Sequence, residues 1–351
     1  MIGEEQGNRL SFSGNAPYLF PTEIVHGVVS YNKDDKRNIK KKYPFQSEWG
    51  YALPINNTFD RIVGCLLIEI AWISAVEEKT YFYKKNICTE NFIPSSDKIK
   101  QADSINKLFI VGMAPYGGIA FWLSNPQKSV LIEWGKAEVS KRKYSEFISA
   151  YETISLHEIC KRYISDDRFI RKNLQANGLP PHDLFDNYMK QFTYRYQVMY
   201  EYWSDDKEKW QKYYGEEIIA VCDYIEEALF DGTHDKLHDG GLMNYHQAGK
   251  PKKLAVKWHI KKSEYTAYFW FEDEAIRNVF DRFYGAHPET KTDFMIRIDT
   301  EKNKYELALY RYGLKEPQVI SESAYQLLVF KNKFEYYRSE NYNQPRGAWI
   351  W

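Results

Sequence analysis

The chain has 351 residues, and its 48 Lys+Arg are balanced by 48 Asp+Glu, so the net charge is zero. That balance argues against bulk nucleic acid or an anionic membrane as the main partner, because both need a basic surplus. Hydrophobic residues make up 44% of the chain and aromatics 17%, with 29 Tyr, 20 Phe and 10 Trp, so a packed core is expected rather than disorder.

The start, Met1 to Leu10, is polar and carries Glu4, Glu5 and Arg9, without the apolar core of a signal peptide. The expected location is therefore cytoplasmic, or periplasmic or outer-membrane-associated if an export signal has been removed. Tyr18 to Pro21 leads into a β-branched strand, Ile24–Tyr31. A polar loop, Lys33 to Lys42, follows and reads as a solvated hairpin tip. In Ile62–Val76, Leu66, Ile68, Ile70 and Trp72 share one face and Leu67, Ala71 and Ile73 the other, as in a central strand covered on both sides. Glu69 and the run's length exclude a membrane span. Strands at Lys107–Met113, Gly118–Leu123 and Val130–Glu138 follow as an antiparallel meander, with turns at Pro115-Tyr-Gly-Gly and Ser124-Asn-Pro.

Helical spacing begins near Lys141, with Tyr144, Phe147, Ile148, Tyr151, Ile159 and Tyr163. Asp166 or Asp167 caps a second short helix that stops at Asn177-Gly178. Phe192–Tyr202 reads as a strand. Ser204 then opens an expected helix whose stripe is Trp210, Tyr214, Ile218, Val221, Ile225 and Leu229. A hairpin is expected from Leu254–Lys261 and Tyr265–Phe271, then a helix capped by Asp273 and stopped by Gly285. A second hairpin, Phe294–Asp299 with Tyr305–Tyr310, and a last strand, Tyr325–Phe330, complete the chain. No internal repeat is evident. The fold class is α+β, mostly antiparallel sheet, with a helical middle segment and a C-terminal hairpin/helix/hairpin unit. Three segments are expected: a β-rich N-terminal lobe over 1–140, a largely helical segment with one strand over 141–240, and an α+β C-terminal lobe over 241–351. A single composite domain is the alternative.

Few constellations suggest chemistry. His234-Asp235, His238-Asp239 and His246 are ligand types suited to zinc, but they fall in a Gly-rich stretch that reads as a polar loop. No nucleophile elbow, phosphate loop or dinucleotide fingerprint is present. Val111-Gly-Met-Ala-Pro-Tyr-Gly-Gly opens a strand and reads as a hairpin turn. Cys65, Cys88, Cys160 and Cys222 read as ordinary thiols or as a source of one disulfide. Nothing calls for a cofactor. The Tyr-rich runs Phe192–Trp203, Tyr265–Phe271 and Phe334–Trp351 suit either sheet packing or a recognition surface.

The set Trp72, Ser74 and Glu77 with Tyr81-Phe-Tyr, the Gly112/Pro115/Gly117 turn leading to Trp122, and the Tyr18–Pro21 opening together resemble the bacterial family called domain of unknown function 2931. Lys250-Pro-Lys-Lys-Leu, Trp258, Tyr265–Phe271 and the helix at Asp273 extend the likeness to about Phe330. The resemblance implies no established enzymatic activity. It points to exported lipoprotein-like relatives, some similar to immunity proteins of type VI secretion toxins. A lipobox cysteine is lacking here. The expected function is therefore non-enzymatic protein binding, with a cognate secreted effector as partner, no nucleic acid and no membrane span. The alternatives are a metal-dependent hydrolase using His234, His238 and His246, or an envelope protein binding a glycan or lipid. In the family motif, Glu77 reads as a structural hydrogen-bond acceptor.

Overall fold

The computed structural model describes residues 10–17, 19–30, 36–39, 49–50, 55–59, 65–88, 107–125, 127–148, 153–212, 220–238, 242–285 and 287–343. The class is α+β with β-sheet dominant. The chain divides into two compact units. The first comprises residues 1–186 with 231–233, and the second residues 187–230 with 234–351.

In the first unit the strands are β1 (Leu10–Asn15), β2 (Thr22–Ser30), β3 (Lys36–Asn38), β4 (Ile55–Phe59), β5 (Cys65–Ser74), β6 (Lys79–Cys88), β7 (Lys107–Met113), β8 (Gly118–Ser124), β9 (Ser129–Lys136) and β10 (Glu138–Val139). They form two sheets, ordered β4-β1-β7-β8-β9 and β10-β6-β5-β2-β3. β1 runs parallel to β7, and the other pairings are antiparallel. Leu66, Ile68, Ile70 and Trp72 of β5 pack with Phe109, Val111 and Met113 of β7 and Ile119 and Phe121 of β8, forming the core of a sandwich. The opposite face of β5 presents Ala71 and Ile73 to Ile159 and Cys160 of α1 (Leu156–Ser165). The C-terminal half of β5 is thus covered on both faces, which is why Ile70 to Ile73 are all apolar.

Helix starts and stops follow local chemistry. Ser155 caps α1 and exchanges hydrogen bonds with Glu158, and Asp167 caps α2 (Arg168–Asn177) through Phe169 and Ile170 N–H. A short α3 spans Leu184–Tyr188. The register of β5 against β6 places Cys65 opposite Cys88, and the two form a disulfide across a sequence separation of 23. Cys160 and Cys222 remain buried thiols.

The second unit contains β11 (Phe192–Ser204), β12 (Lys209–Lys212), β13 (Ala220–Leu229), β14 (His234–Leu237), β15 (His246–Ala248), β16 (Pro251–Ile260), β17 (Ser263–Phe271), α4 (Asp273–Tyr284), β18 (Thr292–Asp299), β19 (Lys304–Tyr310), β20 (Gln318–Ile320), β21 (Tyr325–Lys331) and β22 (Phe334–Arg338). One sheet runs β14-β13-β16-β17-β21-β22. The other runs β11-β18-β19-β20, with β12 and β15 on the free edge of β11. Its core gathers Leu254, Val256, Trp258, Phe294, Ile296, Ile298, Leu307 and the α4 residues Ile276 and Phe280.

Four expectations need correction. The helix expected from Ser204 to Leu229 is instead a hairpin turn, the short strand β12, and β13. Trp203 sits opposite Trp210 across that hairpin. Tyr214 and Ile218 of the expected stripe lie outside the described residues. In β13 the inward positions are Cys222, Ile225, Glu227 and Leu229. A bulge at Asp223 and an inward carboxylate at Glu227 disguised the strand alternation as helical spacing. The boundaries at 140 and 240 also shift. α1 packs on the first unit's sheet and α2 packs against α1, while β11 and β13 are integral to the second unit's sheets, so the two compact units do not divide at 140 or 240. Asp273 occupies the first turn of α4, whose cap residue is Glu272. Its carboxylate accepts from Tyr188 Oη at 2.6 Å and Arg277 Nε at 2.8 Å.

The fourth correction concerns repeats. The two units share one topology. β1, β2-β3, β4, β5-β6, β7-β8-β9 and β10 correspond in order, sheet and strand direction to β11, β13-β14, β15, β16-β17, β18-β19-β20 and β21. Both copies keep the same parallel pair, β1 with β7 and β11 with β18. Both also place a bulge at the same step, between Ile24 and His26 and between Cys222 and Tyr224, beside Trp72 and Trp258 respectively. Each tryptophan faces a tyrosine, Tyr81 at 5.6 Å and Tyr265 at 5.3 Å between ring centroids. Beyond that Trp–Tyr pair the copies agree mainly in which positions point inward, so the repeat is readable in register far more than in residue identity.

Candidate functional site

In the first unit Ser74, Glu77, Tyr81 and the Pro115–Gly117 turn converge at one end of the sandwich. Glu77 lies in the turn after β5. Its carboxylate accepts hydrogen bonds from Ser74 Oγ at 2.8 Å, Tyr81 Oη at 2.7 Å and the Tyr116 backbone N–H at 2.8 Å. Tyr116 adopts a left-handed conformation, φ 59°, within the short 3-10 turn Pro115–Gly117. The carboxylate therefore ties two hairpin ends together. Gly117 has φ 72°, and a Cβ there would press on Ala137 O and the Tyr81 ring. Gly112 is crossed by the Trp122 ring, leaving no room for a side chain. Trp122 Nε1 donates to Asp231 O at 2.9 Å, and its ring meets Trp49 edge-on at 4.8 Å. Ser74 is fully buried and its partner is a carboxylate that also holds two other donors, Tyr81 Oη and the Tyr116 N–H. Such a serine is a structural clamp, with no exposed hydroxyl to present to a substrate. Burial, then the Glu77 contact, raises the Tyr81 hydroxyl pKa, which keeps it a donor.

The histidines of the expected cluster fall in the second unit. His234 lies on β14, His238 just beyond it and His246 on β15, so two of the three are on strands rather than in a loop. Among the described residues no group of three His, Cys, Asp or Glu side chains converges as a metal site. His246 instead joins a buried polar cluster that sequence reasoning missed. Tyr196 Oη donates to Glu227 Oε2 at 2.7 Å, and Tyr194 Oη donates to Gly249 O at 2.8 Å. His246 Nε2 faces Glu227 Oε1 at 3.5 Å, while Nδ1 lies 3.2 Å from Asn244 O. A carbonyl on one ring nitrogen and a carboxylate near the other both favour the imidazolium. Burial opposes that charge, but the Glu227 carboxylate and the Asn244 carbonyl outweigh it, and the His246 pKa is raised. Glu227 and Tyr196 occupy the inward positions that Val29 and Phe12 hold in the first unit.

Lys250, which opens the Lys-Pro-Lys-Lys stretch, has no exposed surface. Its ammonium donates to Asn187 O at 2.8 Å and Asn187 Oδ1 at 2.7 Å, with Asp281 at 3.7 Å. Desolvation lowers its pKa to about 8.

The aromatic excess has a spatial counterpart at one end of the second unit. A cleft of about 210 Å³ is lined by Tyr200, Tyr265, Tyr336, Ile260, Thr300 and Lys331, among others. A second, of about 250 Å³, is lined by Tyr305, Tyr325, Tyr337, Asn303, Lys304 and Glu322, among others. Tyr305 stacks near Tyr337 at 5.3 Å, and Tyr336 Oη donates to Thr300 O at 3.2 Å. Among the described residues, the buried hydroxyls of Tyr200 and Tyr305 have no hydrogen-bond partner. Phe334, at the start of β22, is 78% exposed, and Tyr312 is fully exposed. The available sequence signal was the tyrosine content of β17, β19 and β22, but nothing in it revealed that these strands share an end. No protein-family model, curated protein or solved structure matches this chain.

Proposed function

We propose that this chain is a non-enzymatic binding protein, an immunity protein that neutralises a secreted bacterial toxin of the type VI system by blocking its active site. The observation that carries this reading is the tyrosine-lined end of the second unit. Tyr200, Tyr336 and Tyr337 are half-buried there, over the buried Tyr265, Tyr305 and Tyr325. Such tyrosines offer rigid contact area and a hydroxyl at low entropic cost, the make-up of recognition surfaces. The resemblance to the domain of unknown function 2931 family points the same way. The Cys65–Cys88 bond supports an oxidising compartment as the place of action, the periplasm or the outer-membrane periphery. The metal-dependent hydrolase reading draws no support from the positions of His234, His238 and His246. No helix among the described residues is long and apolar enough to cross a membrane.

The test is capture of effectors from the native bacterium with the tagged chain, followed by a growth assay. Cells producing the captured effector should recover when the chain is co-produced in the compartment where the effector acts. Continued killing, with both proteins present at equal levels, would overturn the proposal.

A further inference from the structure

We propose that the 210 Å³ cleft of the second unit is a carboxylate-binding site, the ligand's carboxylate taking the place that the chain's own Glu77 fills in the first unit. The argument comes from comparing the two copies. In the first, the four-residue turn Ala75–Glu78 supplies Glu77, whose carboxylate sits against Tyr81 and closes the end of the sandwich. In the second, the equivalent strands are joined by Lys261 and Lys262 alone, so the turn carries no acid. The tyrosine is retained as Tyr265, and the end is open as the cleft.

What surrounds that opening suits an anion with an apolar body. Lys331 lies opposite Tyr265 in the β17–β21 pairing, and its Nζ is 5.4 Å from the ring centroids of both Tyr265 and Tyr336. The neighbouring Tyr265 hydroxyl raises the Lys331 pKa, so that ammonium stays charged. Tyr200, where the first unit has Ala16, borders the same cleft, and its buried hydroxyl has no hydrogen-bond partner among the described residues. Ala220, Ile260 and Ile298 form the apolar wall. Glu301, exposed on the rim, is the one carboxylate of the lining and opposes an incoming anion. The volume equals that of about seven waters in the liquid, room for a carboxylate and a short apolar body. The inference stands whether or not the chain neutralises a toxin.

The test measures binding to the full chain by nuclear magnetic resonance titration, with benzoate and benzamide as a matched pair. Saturable binding of benzoate, at least tenfold tighter than benzamide, is expected. Lys331→Met and Tyr265→Phe should each weaken it at least fivefold. Glu301→Gln should tighten it about twofold, an outcome that misfolding cannot imitate. Equal binding of the amide, no saturation, or indifference to both Lys331→Met and Glu301→Gln would overturn the assignment. A second arm separates sources. If acetyl-Leu-Glu-Leu-amide binds at least tenfold tighter than benzoate, and its Gln analogue does not, the carboxylate comes from a protein side chain. The reverse order assigns it to a small free acid.

Discussion

Replacing Glu77 tests the clamp that closes the first unit. Glu77→Ala removes the acceptor for three hydrogen bonds and strands the fully buried Ser74 hydroxyl and the Tyr116 N–H. Hydrogen bonds to a charged acceptor contribute roughly 1.5–3 kcal/mol each, but Glu77 is only half-buried and the three share one carboxylate, so the sum is discounted to about 3 kcal/mol. Glu77→Gln keeps one oxygen and presents an amide N–H₂ to donors, so it should cost about half as much, roughly 1.5 kcal/mol. With two units the chain need not unfold in one step, so the readout is native-state hydrogen exchange at Trp72–Tyr83 and at Tyr116. A loss of about 3 kcal/mol corresponds to roughly 100-fold faster exchange at those amides. Glu138→Ala, an exposed neighbour on β10, should leave them within about 0.5 kcal/mol. If Glu77→Ala changes exchange at these amides less than threefold, the carboxylate does not hold the two hairpins together.

Further predictions concern the disulfide and the buried charged groups. Reducing the Cys65–Cys88 bond, or replacing both residues by Ser, should destabilise the first unit by about 3 kcal/mol, because it frees a loop spanning a separation of 23; an unchanged melting temperature with reductant would contradict this. Glu227→Val alone should cost about 2 kcal/mol by orphaning the Tyr196 hydroxyl and His246, whereas Glu227→Val with Tyr196→Phe, matching Val29 and Phe12, should recover most of that loss in a urea titration. The His246 pKa is raised on folding, so its contribution is complete below pH of about 6.5 and is lost as pH rises through the folded value; Glu227→Gln should flatten that slope. Lys250 has the opposite sign. Its pKa falls to about 8 on folding, so stability should rise with pH between about 8 and 10.5 in the wild type but not in Lys250→Met.

Legibility in the sequence follows how each feature is encoded. β5, β7 and β8 were readable because their inward positions are uniformly apolar, and α2 because Asp167 and Gly178 mark its ends. β13 was not, since its inward face carries Glu227 and its bulge breaks the alternation. The repeat escaped notice because matched positions need share only their direction, as Val29 with Glu227 and Ile119 with Tyr305 illustrate. Glu77 was read as an acceptor from its place in the motif, yet its bond to the Tyr116 backbone depends on a distant turn. The Cys65–Cys88 pairing is a consequence of register that spacing alone does not encode. The clefts arise from where β22 meets the β18–β19 turn, a long-range arrangement with no local signature.

The most direct test of the binding account is the affinity of the captured effector for wild-type protein and for a Tyr336→Ala, Tyr337→Ala double variant, with folding checked by the melting temperature. Anchors at the centre of an interface cost at least about 2 kcal/mol each on truncation, so the account predicts at least a 100-fold loss of affinity and loss of protection against the toxin. A folded double variant that binds within threefold of wild type and still protects would contradict it.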